Sequence, residues 1–224
     1  MGAQRLNIFN RAHKALRGLL CRTLIQIQQT DFSKYKNTEI CISQLRVVME
    51  LLEEHAALED GVILPLLKDN AESVVLFFME QHIEDEILSE KLNSVLTDLQ
   101  NTESAEHRIA LSQRLLQQYI AFMIFNLNHM NMEEQFINPL LLSAYEDAEL
   151  EKVVTDAVKR SPPKHNDLFL GLVIEHQNDA EIFNWFSSIK ETAPKQVFQQ
   201  FCFLAEGVLH EQRMNILNIN LKQE

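Results

Sequence analysis

The sequence predicts an all-α protein: an up-down-up-down four-helix bundle over residues 1–145, followed by a C-terminal helical extension over 146–224. Three observations lead there. Glycine and proline are scarce, five of each in 224 residues, too few for the turns of a β-sandwich. Hydrophobic residues make up 46% of the chain, enough for a full core. The apolar residues of the first 145 positions recur in steps of three and four, the spacing that lines one side of a helix.

Four segments carry that period. The first, from about Leu6 to Gln29, has Phe9, His13, Leu16, Leu20, Leu24 and Ile27 on its stripe. The second, from about Thr38 to Lys68, has Cys41, Leu45, Val48, Leu52, His55, Glu59, Val62 and Leu66. The third, from about Ala71 to Gln100, has Val75, Phe78, His82, Glu86, Leu92, Leu96 and Leu99. The fourth, from about Ala105 to Ala144, has Leu115, Tyr119, Phe122, Asn126, His129, Glu133, Phe136 and Leu140. Asp31-Phe-Ser-Lys and the stretch Asp98 to Ser104 supply turn and cap chemistry between them. Short connections between long helices favour antiparallel neighbours.

The tail reads differently. Ser161-Pro-Pro163 stops one helix and Ala193-Pro194 precedes another. Leu168 to Ile189 and Val197 to Leu221 carry aromatic apolar faces, read as helices that pack on the bundle or form a homodimer surface.

Polar residues interrupt the four stripes only at His13, at His55 with Glu59, at His82 with Glu86, and at Asn126 with His129 and Glu133. Burying an unpaired polar group costs roughly 2–7 kcal/mol, and a charge more. Four helices that each break their own apolar rule with a metal-ligand residue type point to a shared partner at the centre. Two of the breaks repeat each other. Residues 55–67 and 129–141 share six of thirteen positions: the His, the Glu four residues on, and an Ile-x-Pro-Leu-Leu ending. Residues i and i+4 share a helix face, so each copy aims an imidazole and a carboxylate at one point. The offset is 74 for these copies and 69 between His13 and His82, so the first helix pair roughly duplicates the second. Pro65 and Pro139 each lie six residues past the Glu and are read as kinks or helix ends just beyond the site.

Charge and cysteine usage narrow the function. Twenty basic against 32 acidic residues leave −12, which repels nucleic acid and anionic membrane surfaces. Cys21, Cys41 and Cys202 are isolated and no CxxC occurs, so neither a disulfide framework nor a thiolate metal site is indicated. No apolar run is long enough to cross a bilayer. The N-terminal Met-Gly-Ala-Gln-Arg-Leu lacks the apolar core of a signal peptide, and Leu6 stands where a myristoylation signal wants Ser or Thr. A cytoplasmic location is the expectation.

Imidazole with carboxylate suits iron, manganese or zinc. The ferritin-like arrangement needs Glu-x-x-His, but Asn10, Leu52, Met79 and Asn126 stand three residues before the four bundle histidines. The order His, His-x-x-x-Glu, His, His-x-x-x-Glu resembles the hemerythrin-like, or HHE cation-binding, family over about residues 6–145. The resemblance implies two iron ions with an oxo or hydroxo bridge, manganese or zinc being the alternatives. It implies His13 and His55 on one metal, His82 and His129 on the other, and Glu59 and Glu133 bridging both. Oxygen carriers of that family have a second histidine four residues after the one in the third helix. Glu86 stands there in this chain, either as a seventh ligand or as an acceptor for an imidazole N–H.

That departure turns the expectation from reversible oxygen carriage toward sensing, binding or responding to a small diatomic molecule, O2 or NO, or to iron. The alternatives are a di-iron redox enzyme acting on peroxide or nitric oxide, and a helical interaction module tied by its metal. His107, His165, His176 and His210 lie outside the pattern and are read as surface or packing residues, and Glu54 and Glu134 as solvated neighbours of the motifs.

Overall fold

The computed structural model describes residues 5–160 and 163–223. Among the described residues all regular structure is helical and there is no strand. They divide into two compact units. One comprises the residues up to Phe9 and Leu19–Arg160; the other comprises Asn10–Gly18 and the residues after Arg160. Helix α1 (Asn10–Gln29) therefore gives its first half to one unit and its second half to the other. Among the described residues no helix is long and apolar enough to cross a membrane.

The first unit holds α2 (Tyr35–Leu58), α3 (Glu72–Gln100), α4 (Ala105–Met132), α5 (Asn138–Ala144) and α6 (Asp147–Val158). Within it α2 packs on α3 and α3 on α4. The start of α4 follows from Ser104, whose hydroxyl accepts the His107 N–H at 3.3 Å. Helix α1 begins at Asn10 rather than at Leu6, because the residues before it bond elsewhere. The Ile8 N–H donates to the Asn138 side-chain oxygen, Asn138 donates to the Leu6 carbonyl, and the Leu6 N–H donates to Asp147. Arg108, a buried guanidinium that sequence reasoning passed over, donates to the carbonyls of Phe32, Ser33, Thr102 and Glu103 at 2.8–3.1 Å and fastens two interhelical turns together. The Tyr119 hydroxyl donates to the Leu20 carbonyl at 2.9 Å, tying α4 to the second half of α1.

The two sequence copies produce the same local distortion. After Glu59 and after Glu133 the chain widens into a single π-helical turn, Glu59–Ile63 and Glu133–Ile137. The Leu64 N–H reaches back five residues to the Glu59 carbonyl, and the Asn138 N–H to the Glu133 carbonyl. A proline ring clashes with the carbonyl four residues before it. The wider turn leaves that carbonyl room, and a 3₁₀ segment (Leu64–Leu67) or α5 resumes with Pro65 or Pro139 in its first turn. Expected as kinks or helix ends, the prolines sit in the first turn of the segment after each π turn, and the buried face shifts by one residue there. Phe136, assigned to the stripe by period, is 54% exposed, whereas Ile137 is 0% exposed. Likewise Ile63 and Leu67 are buried where the period named Val62 and Leu66. Ile63, Leu67, Ile137 and Leu141, equivalent positions of the two copies, meet in one cluster with Phe9, Val75, Phe78 and Leu150.

The second unit is built from α7 (Pro163–His176), α8 (Asp179–Thr192), α9 (Lys195–Val208) and α10 (Glu211–Gln223), with the first half of α1. Ile174, Ile182, Phe186, Ala205, Leu209 and Leu217 form its core, and Trp185 meets Phe201 edge-on at 5.2 Å. The two apolar runs read from sequence are each two helices. Asn178 breaks the first, its side chain accepting the Glu181 N–H in a capping box, and extended backbone at Leu209 breaks the second. Ser161 and Pro162, read as a helix stop, and the side chain of His165 lie outside the described residues.

Candidate metal centre

The last turns of α2 and α4 carry His55 and His129, and the π turns that follow open with Glu59 and Glu133. His55 Nε2 lies 3.0 Å from Glu59 Oε1, and His129 Nε2 lies 3.3 Å from Glu133 Oε1. Both carboxylates are buried. Helix α3 contributes His82, whose Nε2 lies 3.6 Å from Glu59 Oε2 and 3.1 Å from His129 Nε2. Glu59 therefore turns one oxygen to a histidine of its own helix and the other to a histidine of α3.

Packing fixes the rings. His129 is stacked on Phe125 (interplanar angle 12°) and meets Phe78 edge-on. Its Nδ1 is buried without a hydrogen-bond partner, so Nε2 is the nitrogen that faces the cluster. The Nδ1 of His82 sits 2.8 Å from Asp60 Oδ1. In the neutral ring, an Nδ1–H donated to that carboxylate leaves Nε2 as the lone-pair atom beside Glu59 and His129.

Glu59, His82, His129 and Glu133 each offer one ligand atom, all within 4.8 Å of one another, and so do His55, Glu59 and Glu133. These residues could hold a metal ion. The electrostatics fit a cation. Two carboxylates buried side by side require positive charge nearby. Burial alone pushes the His82 imidazole pKa down, but the hydrogen bond and charge of Glu59, then those of Asp60, outweigh it and hold the ring up at about 9.

Of the sequence-predicted ligands, the first unit brings together His55, Glu59, His82, His129 and Glu133. His13 lies on the half of α1 that belongs to the second unit, fully buried. Glu86 does not join them. It is exposed, and the carboxylate that α3 turns inward is Asp85. The positions three and four residues after His82 both border the ligand face, and the rotation of α3 selects the nearer one. Asp85 Oδ1 accepts the Asn126 amide at 2.6 Å, and the same amide donates to the Phe122 carbonyl. Burial pushes the Asp85 carboxyl up, and the Asn126 hydrogen bond works against that.

Asp60, against His82, and Asp85, against Asn126, are the acidic side chains beside the cluster that the sequence pattern did not name. Asp85 carried a signal, an acid at i+3 from a stripe histidine. Asp60 carried none, because the π turn decides which way it faces.

Compared with known proteins, the chain matches no family model, no curated protein and no solved structure.

Proposed function

We propose that the chain is a hemerythrin-like, non-haem di-iron protein that binds or responds to a small diatomic molecule, O2 or NO, or to iron itself, its ligands supplied by a four-helix bundle. The observation that carries this reading is the division of Glu59, with Oε1 on His55 and Oε2 on His82. A carboxylate that faces two imidazoles with separate oxygens is placed to bridge two ions, and Glu133 is common to the same two ligand groups.

In this reading His13, His55, His82 and His129, with Glu59 and Glu133, would hold the metal. Bound iron would supply redox and Lewis-acid chemistry. The chain's own residues do the rest. Asp60 fixes the tautomer and angle of His82, and Phe78 and Phe125 wall off His129 from water.

One observation favours the redox-enzyme reading as a second. Asp85 is a carboxyl pushed toward its neutral form by burial, one turn from His82, and so is suited to holding a proton near the site. Anaerobic addition of NO to the iron-loaded protein separates the readings. A stoichiometric change in the absorption spectrum supports ligand binding, and sustained consumption of NO or peroxide with a reductant supports the enzyme. An iron-loaded spectrum that responds to neither O2, NO nor peroxide overturns both.

A further inference from the structure

Helix α3 is patterned for two partners. Its inner side carries Phe78, Leu92 and Leu96, all buried. At about 100° per residue the opposite side is centred on Leu76, Ile83 and Ile87, which fall within about 40° of one another. Binary patterning calls for polar residues there. Instead these three are 54%, 58% and 46% exposed, with Met79 beside them also exposed. The line runs about 16 Å along the helix, three turns at a rise of about 1.5 Å per residue.

Acidic residues flank it on both sides. Glu72, Glu86 and Glu90 lie along one edge, Glu80 and Glu84 along the other, and all five are exposed. None takes part in an ion pair among the described residues. Lys91 is the only lysine or arginine in the helix. An apolar line with uncompensated acid on each edge is an electrostatic and shape mould.

We infer that this face of α3 docks an amphipathic helix of a partner protein, with aliphatic residues at i, i+3/i+4 and i+7 and lysine or arginine on both flanks. The charge pattern selects this occupant. A second copy would set the same carboxylates against each other, and like charges juxtaposed at an interface are costly. An anionic membrane would be repelled for the same reason. What the metal centre binds has no bearing on this face, because Leu76, Ile83 and Ile87 lie on the side of α3 opposite the buried Phe78, Leu92 and Leu96.

The test uses the full chain and a fluorescent 18-residue probe helix with leucine on one face and lysine on its flanks. A scrambled peptide of the same composition and a peptide with glutamate flanks serve as comparisons. The amphipathic basic peptide is expected to bind at least about tenfold more tightly than either comparison. Binding should fall about tenfold or more in the double variant Ile83→Ser, Ile87→Ser. It should also fall, and lose most of its salt dependence, in Glu80→Gln, Glu84→Gln. All four side chains are exposed, so circular dichroism melts should match the parent protein. Equal binding of the scrambled peptide, or binding indifferent to both double variants, overturns the inference. So does a protein dimer in sedimentation that the isoleucine substitutions disperse, since that gives the face to a second copy.

Discussion

Nε2 of His82 and Nε2 of His129 lie 3.1 Å apart, on rings carried by different helices. Two lone pairs cannot face each other at that distance unless something positive lies between or beside them. Two nitrogens each about 2.1 Å from one ion, at roughly a right angle, are about 3.0 Å apart. The spacing suits two nitrogens that share a cation or, without one, a proton on His82, whose pKa is held up at about 9.

That proton gives a pH dependence. The folded His82 pKa of about 9 lies above the usual imidazole value of 6.5. Its contribution to stability is fully present below about pH 6.5 and is lost as pH rises through about 9. Urea unfolding of metal-free protein should show a midpoint that falls across this window. In metal-loaded protein the fall should disappear, because metal replaces the proton. A midpoint that does not move in metal-free protein would contradict the assignment.

Asp60 holds His82 from outside the cluster, so removing it should weaken the metal without unfolding the helix. Asp60→Ala should lower affinity by about 10- to 100-fold in a chelator competition. Asp60→Asn should fall between, since its amide oxygen still accepts the Nδ1–H. Unchanged affinity in Asp60→Ala would show that the 2.8 Å contact does not position the ring.

The two neighbouring acids of α3 should behave oppositely. Glu86→Ala, at an exposed position, should leave metal content and stability as they are. Asp85→Ala takes a partner from the buried Asn126 amide and should destabilise by about 1–3 kcal/mol in denaturant titration. If Glu86→Ala loses metal instead, the inward face of α3 has been assigned wrongly.

Gly18 makes a third case, in the second unit. A Cβ there would lie 1.8 Å from His176 Cδ2, and that ring is held by a 2.9 Å contact from Nδ1 to the Leu172 carbonyl. Alanine raises helix propensity by about 1 kcal/mol over glycine, but the clash should win, for a net loss of about 1–3 kcal/mol by thermal unfolding. The double variant Gly18→Ala, His176→Ala should recover much of the loss.

Much of this was legible in the chain. The stripes of α1 to α4 named Leu16, Leu20, Leu45, Val48, Leu92, Leu96, Leu115 and Tyr119, all buried, because straight helices carry their period into space. The repeated His and Glu were legible for the same reason, each pair sitting at the end of a straight helix, just as the π turn begins. The period failed at Phe136, where a π turn adds a residue that no spacing rule anticipates. It failed at Glu86, where i+3 and i+4 are equivalent on paper and packing against α4 chooses. It was silent on Asp60, whose role depends on the turn that follows Glu59, and on Arg108, whose partners are carbonyls from loops some 75 and 5 residues away.

The proposed function requires a pair of metal positions that share Glu59 and Glu133. Anaerobic iron loading, followed by removal of free metal and determination of iron per chain, tests it most directly. The parent protein should retain two irons, and the double variant Glu59→Ala, Glu133→Ala, still helical by circular dichroism, should retain none. A parent protein that emerges without iron, or a double variant that keeps two, would contradict it.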